Sequence, residues 1–535
     1  MKNVAIVGAG PTGIYTLYAL VERGEPLAVT LYEQAEEAGV GMPYNDDNNA
    51  TLMLANIASI EIPPVYITYL QWLHEQSDSY LARFNIARES LHDRQFLPRV
   101  ILGDYYRDRF LALVETAEQS GFTVTVREAC KVTDLQATDE GVKIWTQDCS
   151  EADTFDFAVI ATGHLWPEDD DTPRDFFPSP WTGLMSAKIR PCRVGIMGAS
   201  LSGIDAAMAV VTQHGKFITE NGKTVGFALN PESRALKLTM MSRTGILPEA
   251  DFYCPLPYEP LTIVNEETLA RTIAEGSEGL LDRVFALIVT ELERADPQWC
   301  AQIALNTLNA DTLVEAWFAD RKKRDPFRWA QENLEEVERN KRERYTVPWR
   351  YTVLRLHEVV EEIVPHLNEQ DTQRFKKGLA RVFIDNYAAI PSESIRRLLA
   401  LREAGLIQIQ ALGNEYEMQA DDCLTTIQTQ DAHYEFDVFI DARGQKALKT
   451  KHLPFPTLRN QLLACGDDIP DVGEDYTLQA PECVRGRIAF GALPWLMHDR
   501  PFVQGLVVCA EIGAAMAKAV ERQASRKRKR IADME

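Results

Sequence analysis

Short apolar runs broken by glycine set the pattern at the start of the chain. Val4 to Val7 is apolar, the chain turns through Gly8-Ala9-Gly10-Pro11-Thr12-Gly13 into an apolar helix, and a second apolar run, LAVTLYE, ends on Glu33. Strand, glycine turn, helix and strand in this order predict a βαβ unit. The pattern returns at CRVGIMGASLSGIDAAMAVV. There a strand from Arg193 to Met197 reaches Gly198, Ser200 and Gly203, a helix rich in small residues follows, and the strand LKLTMMSR ends on Ser242-Arg243. Between Glu259 and Val382 the period changes. EGLLDRVFALIVTELERA and YTVLRLHEVVEEIVPHL carry apolar residues at three- and four-residue spacing, which predicts amphipathic helices. The charged stretch between them, from Arg321 to Arg350, reads as a solvated helical face. A sharper alternative is a lid bringing Trp349 or Arg350 to a substrate.

The glycine spacing carries chemistry. In G-x-G-x-x-G after a strand, Gly8 makes the tight turn, Gly10 lets a pyrophosphate approach, and Gly13 lets the helix pack on the strand. The helix start offers free N–H groups and a positive dipole end to phosphate. Glu33, twenty residues after Gly13, is placed to accept the hydroxyl protons of an adenosine ribose. The motif leaves FAD and NAD both open. At the second turn Ser200 replaces the middle glycine and is still small. Arg243 stands where an NAD site usually has an acid; a guanidinium there suits a 2′-phosphate, which favours NADPH over NADH.

One phrase occurs twice: FDFAVIATG from Phe155 and FDVFIDARG from Phe436. Both start Phe-Asp and reach Ala-x-Gly at one offset, Ala161 and Gly163, then Ala442 and Gly444. Two dinucleotide folds, one inserted in the other, require the chain to cross twice. The expectation is that each crossing follows a strand ending beside a cofactor, where Ala and Gly keep the backbone unobstructed.

Composition narrows the classes. A chain of 535 residues exceeds one core, so two or three domains are expected. A net charge of −23 argues against nucleic-acid binding. Nine cysteines without a C-x-x-C pair read as a reducing, cytoplasmic setting, with no disulfide framework and no metal site. The uncharged run Asn3 to Val21 is broken by Gly8, Gly10, Pro11 and Gly13, so it is not read as a signal sequence. No other segment is long and apolar enough to span a bilayer. The basic run Arg526 to Arg530 is expected to be a disordered tail.

With GAGPTG, Glu33, VIATGH and GASLSG in place, the chain resembles the two-dinucleotide flavoproteins that include flavin monooxygenases and the lysine and ornithine N-hydroxylases. Longer strings, among them LHDRQFLPRVILGDYYRDRF and AFGALPWLMHD, look like the YdhS-like FAD/NAD(P)-binding family, and this resemblance runs through nearly the whole chain. It implies an FAD site at Gly8, Gly10, Pro11, Thr12, Gly13 and Glu33. It adds Gly39, Gly41, Pro43 and Tyr44, with Asn56 beyond them. It also adds Arg99, Gly103 and Tyr105, and then Thr162 and Gly163. Near the C-terminus it implies Gly491 and Gln504 at the approach to a helix facing the flavin. Gly198, Ser200, Gly203 and Arg243 are the matching NAD(P)H set.

Two departures stand out. Relatives place Gly-Asp where this chain has Gly491-Ala492. The F-x-G-x-x-x-H-x-x-x-[WY] window of Baeyer–Villiger enzymes reads Trp181, Gly183, Ala187 and Pro191, so its His and final aromatic are missing. His164 and Trp166 lie near but at another spacing. No catalytic acid or base is evident. Asp251, Tyr253 and Cys254 are a weakly favoured substrate-facing segment.

The expected architecture is α/β: two Rossmann-like dinucleotide-binding domains, an FAD domain with an inserted NAD(P)H domain, plus a mainly helical insertion. The boundaries are 1–187 and 451–524 for the FAD domain, 188–260 and 383–450 for the NAD(P)H domain, 261–382 for the helical insertion and 525–535 for the tail. The expected function is an FAD-dependent oxidoreductase reduced by NADPH or NADH and acting on a small molecule, in an N-hydroxylating-type reaction as the more specific version. A reductase passing electrons to an organic or protein acceptor, and a non-catalytic sensor or scaffold, are the alternatives. Neither a nucleic acid nor a membrane is expected as a partner.

Overall fold

The computed structural model describes residues 2–45, 52–166 and 173–532, with 523–532 as backbone only. The basic-tail expectation falls on side chains and terminal residues outside that set. No helix among the described residues is long and apolar enough to cross a membrane.

The chain forms two compact units. The first holds residues 1–51, Ile57–Leu165 and Gln445–Glu535; the second holds Leu52–Asn56 and Trp166–Gly444. In chain order the first unit contains β1 (Asn3–Val7), α1 (Pro11–Glu22), β2 (Ala28–Tyr32), α2 (Arg99–Gln119) and β3 (Thr123–Arg127). A meander follows, β4 (Val132–Ala137), β5 (Val142–Thr146) and β6 (Cys149–Phe155), then β7 (Phe157–Ile160). The second unit contains β8 (Phe176–Phe177), β9 (Arg193–Met197), α3 (Leu201–Val211), the hairpin β10 (Gly215–Glu220) and β11 (Lys223–Leu229), and β12 (Lys237–Ser242). Its helical stretch includes α4 (Leu313–Lys322), α5 (Pro326–Glu343), α6 (Pro348–Val360) and α7 (Leu379–Tyr387). It closes with β13 (Ile407–Ala411), a second meander of β14 (Glu417–Asp421), β15 (Leu424–Gln428) and β16 (His433–Phe436), and β17 (Val438–Asp441). The chain returns to the first unit with β18 (Ile488–Phe490) and α8 (Leu506–Ala532).

The two main sheets have matching orders, β18-β7-β1-β2-β3 and β8-β17-β9-β12-β13. Their pairings are parallel throughout. Parallel strands are covered on both faces, which is why Val4–Val7, Phe157–Ile160 and Val194–Met197 are apolar runs without alternation. In the first unit α8 lies close on α1: a Cβ at Gly513 would sit 2.8 Å from the Thr16 nitrogen.

The repeated phrase now has a structural account. Each copy ends the meander on Phe, bends at Asp and enters a strand beside the first strand of its sheet, β7 on β1 and β17 on β9. At the bend, Asp156 accepts from Asn3 N at 3.0 Å and its own N donates to Asn3 O at 2.9 Å. Asp437 accepts from Arg193 N at 3.0 Å and donates to Arg193 O at 2.9 Å. The Asp therefore starts the pairing register of both sheets. The units divide just after each copy, at Leu165/Trp166 and Gly444/Gln445.

The sequence placed the first crossing at 187/188, whereas the units divide earlier. The physical reason is that Phe176–Phe177 pairs with β17, so this stretch already belongs to the second sheet. The sequence placed the return at 450/451, and the units divide at Gly444/Gln445. The helices of the insertion run from Glu266 to Tyr387. Leu52–Asn56 groups with the second unit, where Arg397 donates to Leu52 O.

Candidate dinucleotide-binding sites

Both glycine turns have the same geometry. Gly8 has φ +102°, and a Cβ there would lie 2.4 Å from the Ala161 carbonyl oxygen; Gly198 has φ +132°, with the Ala442 oxygen at 2.8 Å. A Cβ on Gly13 would lie 2.1 Å from Gly8 O, and one on Gly203 would lie 2.3 Å from Gly198 O. A side chain at any of these positions would drive the helix off its strand. The alanines of the repeated phrase are thus the opposite walls of the two turns.

Neither helix start is closed by a side chain. Gly10 caps α1 and Ser200 caps α3, and neither makes a side-chain capping hydrogen bond. Elsewhere Thr68, Asn265 and Asp325 cap their helices with side-chain oxygens. The first-turn N–H groups at the two glycine turns are left for an acceptor from outside the helix.

In the first unit, separate segments gather around α1. Glu33 follows β2, and its Oε2 accepts from Ala9 N at 3.1 Å while Oε1 accepts from Ala35 N at 2.9 Å. Burial raises its pKa, against those N–H groups, which lower it. The carboxylate keeps further lone pairs for ribose hydroxyls. Gly39 N donates to Ala9 O at 2.9 Å, and Gly41 packs on Pro11. Gly103 lies under Tyr44, where a Cβ would meet the Tyr44 oxygen at 2.5 Å. Tyr44 follows Pro43 in a single 3-10 turn; burial raises its hydroxyl pKa, Cys509 raises it further, and Arg99 draws it down. Thr162 sits beside Gly8. Gly491 N donates to Ile160 O at 2.8 Å. Gln504 is exposed just before α8, its amide 3.6 Å from Met497 Sδ.

Cys509, in the first turn of α8, was not anticipated. Its thiol lies beside the Thr12 hydroxyl, and burial pushes it up to about 11, so it stays protonated at neutral pH. Its three-residue spacing from buried Leu506 puts it on the same helical face, but no local pattern links it to Thr12. Tyr105 is a strut: its hydroxyl donates to Ile67 O at 2.9 Å and accepts from Val65 N at 3.2 Å. Asn56 is not grouped with this set. Its Oδ1 is buried in the second unit with no hydrogen-bond partner among the described residues.

His164 follows Gly163, and burial lowers its pKa against a hydrogen bond to Gln445, which raises it. Leu165 N donates to Gln445 Oε1 at 3.0 Å, so the two crossings are tied together within the first unit. In the second unit Arg243 is exposed at the end of β12 and its carbonyl accepts from Gly413 N at 3.0 Å. Arg350 is buried between Glu249 at 2.8 Å and Glu336 at 2.9 Å, and Trp349 stacks on Trp299 at 4.8 Å. Asp251 pairs with Lys341 at 3.1 Å, and Cys254 is buried.

Two parallel five-stranded units, each with a strand-turn-helix phosphate cradle and joined in one chain with a helical middle region, define an FAD/NAD(P)-binding flavoprotein fold. Residues 5–165 match the FAD-NAD(P)-binding family and residues 265–387 the YdhS-like middle domain. The chain is 64% identical over 531 residues to YdhS of Escherichia coli (strain K12), covering 99% of each chain, and it belongs to that family. It shares its fold with the ornithine N-hydroxylase of Kutzneria sp. 744, solved with reduced FAD, NADP+ and L-ornithine (TM-score 0.52, 14% identity, 98% of this chain and 100% of that one). It also shares it with L-lysine 6-monooxygenase of Pseudomonas syringae (TM-score 0.51, 14% identity, 98% and 100%). FAD and NAD(P) are the cofactors of this fold. The uncapped α1 and the half-buried Glu33 carboxylate fit the first; the uncapped α3 and the exposed Arg243 fit the second.

Proposed function

We propose that this chain is an FAD-dependent oxidoreductase reduced by NAD(P)H, with NADPH preferred, acting on a small molecule. The observation that carries the reading is one turn geometry built twice with opposite charges at the second strand end, Glu33 and Arg243. Gly8, Gly10, Pro11, Thr12 and Gly13 present the α1 N–H groups to the FAD pyrophosphate, and Glu33 holds the adenosine ribose. Gly41, Tyr44, Arg99, Thr162, Gly163, Gly491 and Gln504 are assigned to the rest of that cofactor. Gly198, Ser200, Gly203 and Arg243 hold the nicotinamide dinucleotide. When bound, the two cofactors supply hydride transfer and two-electron redox chemistry. The protein residues bind, orient and exclude water. Protonated Cys509 and neutral His164 add no charge to the first unit at neutral pH.

The finer reading is N-hydroxylation of a primary amine, supported by the fold shared with the ornithine and lysine enzymes. The second reading is a reductase, favoured by Ala187 and Pro191 in the window where Baeyer–Villiger enzymes carry His and an aromatic. A visible spectrum of the purified protein, then anaerobic NADPH or NADH, then air with and without amines, tests these readings. A flavin band bleached faster by NADPH is expected. A hydroxylamine product supports the finer reading; peroxide matching all NADPH consumed, whatever the amine, supports the reductase. Protein without flavin that fails to take up added FAD overturns the proposal.

A further inference from the structure

Most buried arginines of the second unit meet carboxylates: Arg321 meets Asp385 at 2.6 Å and Arg350 meets Glu249 at 2.8 Å. Arg243 and Arg381 do not. Neither guanidinium has a hydrogen bond or ion pair among the described residues; Arg243 is exposed and Arg381 half-buried. The two come from different parts of the unit, Arg243 from the end of β12 and Arg381 from α7 in the helical middle region.

A buried clamp brings these parts together. Arg321 on α4 grips both oxygens of Asp385 on α7, at 2.6 and 2.9 Å, and its Nη2 also donates to Leu247 O at 2.9 Å. Leu247 lies in the loop leaving β12, four residues past Arg243. Ala250, in the same loop, bridges to Ile390 just past α7. Arg381 precedes Asp385 by one helical turn, on the same face. Its guanidinium lies 5.6 Å from the Phe318 ring, which Arg321 also covers at 5.6 Å. Arg381 therefore lies on the helix that the clamp ties to the loop following Arg243.

The charges sense one another. Burial lowers the Arg381 pKa first, and the like charge of Arg243 lowers it further, while Glu315 and Asp385 raise it. Those two carboxylates are already engaged, Glu315 with Lys322 at 2.7 Å and Asp385 with Arg321 and Trp317. A half-buried guanidinium that feels the like charge of an exposed one is stabilised by an anion received from outside. The place is where a Rossmann unit meets the ribose substituent of its nucleotide.

We infer that Arg381 and Arg243 together form a two-arginine clamp for the 2′-phosphate of NADPH, so that the helical middle region takes part in choosing the cofactor. The inference rests on the assignment of the second unit to NADPH. A phosphate with three acceptor oxygens accommodates two guanidinium forks at once.

The test is calorimetric titration of the FAD-loaded full chain with adenosine 2′,5′-bisphosphate and with 5′-AMP, in wild type, Arg243→Ala, Arg381→Gln and Arg381→Lys, each checked by thermal unfolding. Wild type is expected to bind the bisphosphate at least tenfold more tightly than AMP. Arg243→Ala and Arg381→Gln should each lose about tenfold for the bisphosphate and nothing for AMP. Arg381→Lys should keep part of the preference. If Arg381→Gln binds the bisphosphate as wild type does while Arg243→Ala is weakened, the clamp is wrong and the NADPH assignment stands. If Arg381→Gln weakens both nucleotides equally, Arg381 supports the fold and the clamp is again wrong. Equal binding of both nucleotides by wild type removes the NADPH assignment, and the clamp with it.

Discussion

The two dinucleotide units are near copies in backbone and opposites in side chain. Each has a parallel five-stranded sheet, a meander feeding the strand beside its first, an Asp that starts the register, and an alanine wall behind a glycine turn. They differ one strand over. The first ends β2 with Glu33, half-buried and folded back on Ala9 N. The second ends β12 with Arg243, exposed and without a carboxylate. In the proposed function the shared backbone holds a pyrophosphate in each unit, and the side chain at the strand end chooses between a bare and a phosphorylated adenosine ribose. The units also differ in what covers them: α8 lies close on α1 in the first, and the loop after β12 is clamped to middle-region helices in the second.

The comparison breaks most visibly at the glycines. Gly13→Ala puts a methyl 2.1 Å from Gly8 O, so the purified protein should lose its flavin band and about 1–3 kcal/mol of stability. Gly203→Ala should keep the flavin band but lose bleaching by NADPH, with dithionite still bleaching it. If Gly203→Ala also emptied the flavin, the two units would not be separable. Next in size is Glu33→Gln, which keeps shape and removes charge. FAD affinity should fall about tenfold or more by equilibrium dialysis; unchanged affinity would remove Glu33 from the ribose.

The smallest effect is at the shared Asp. Asp437→Asn should cost only about 0.5–1 kcal/mol in urea unfolding at neutral pH, since the Arg193–Asp437 pair is solvent-facing. Arg193 holds the Asp437 carboxyl below its ordinary range. Its contribution is therefore present above the unfolded pKa, about 3.9, and lost as pH falls through the folded value. Wild type and variant should converge in acid. A gap that persists at low pH would show that the carboxylate charge is not what matters there.

Much of this was legible along the chain. Apolar runs ending in glycine marked β1, β9 and their helices because parallel strands are buried on both faces and a tight turn needs glycine. The strand-end positions of Glu33 and Arg243 follow from distance from the turn, since one helix and one strand have a nearly constant length. The repeated Phe-Asp phrase signalled two crossings, but the register role of Asp156 and Asp437 appeared only with Asn3 and Arg193 opposite them. The division of the two units after Leu165 has no mark in the chain, because a two-residue strand, Phe176–Phe177, leaves no periodicity to read.

The sequence alone determined two βαβ units, their glycine turns, the side chain at the end of each second strand, and a helical stretch after the second. These follow from local rules: a period of two or of three to four residues, and the steric needs of single turns. Only the tertiary structure decided that Cys509 lies beside Thr12, that Ala161 and Ala442 are the walls of the glycine turns, that Arg350 is locked between two glutamates, and that the helix of Arg381 is clamped to the loop following Arg243. Apart from the repeated alanines, each joins residues far apart in the chain with no shared pattern. Such pairs are chosen by how whole elements pack, and packing leaves its mark in space rather than in spacing.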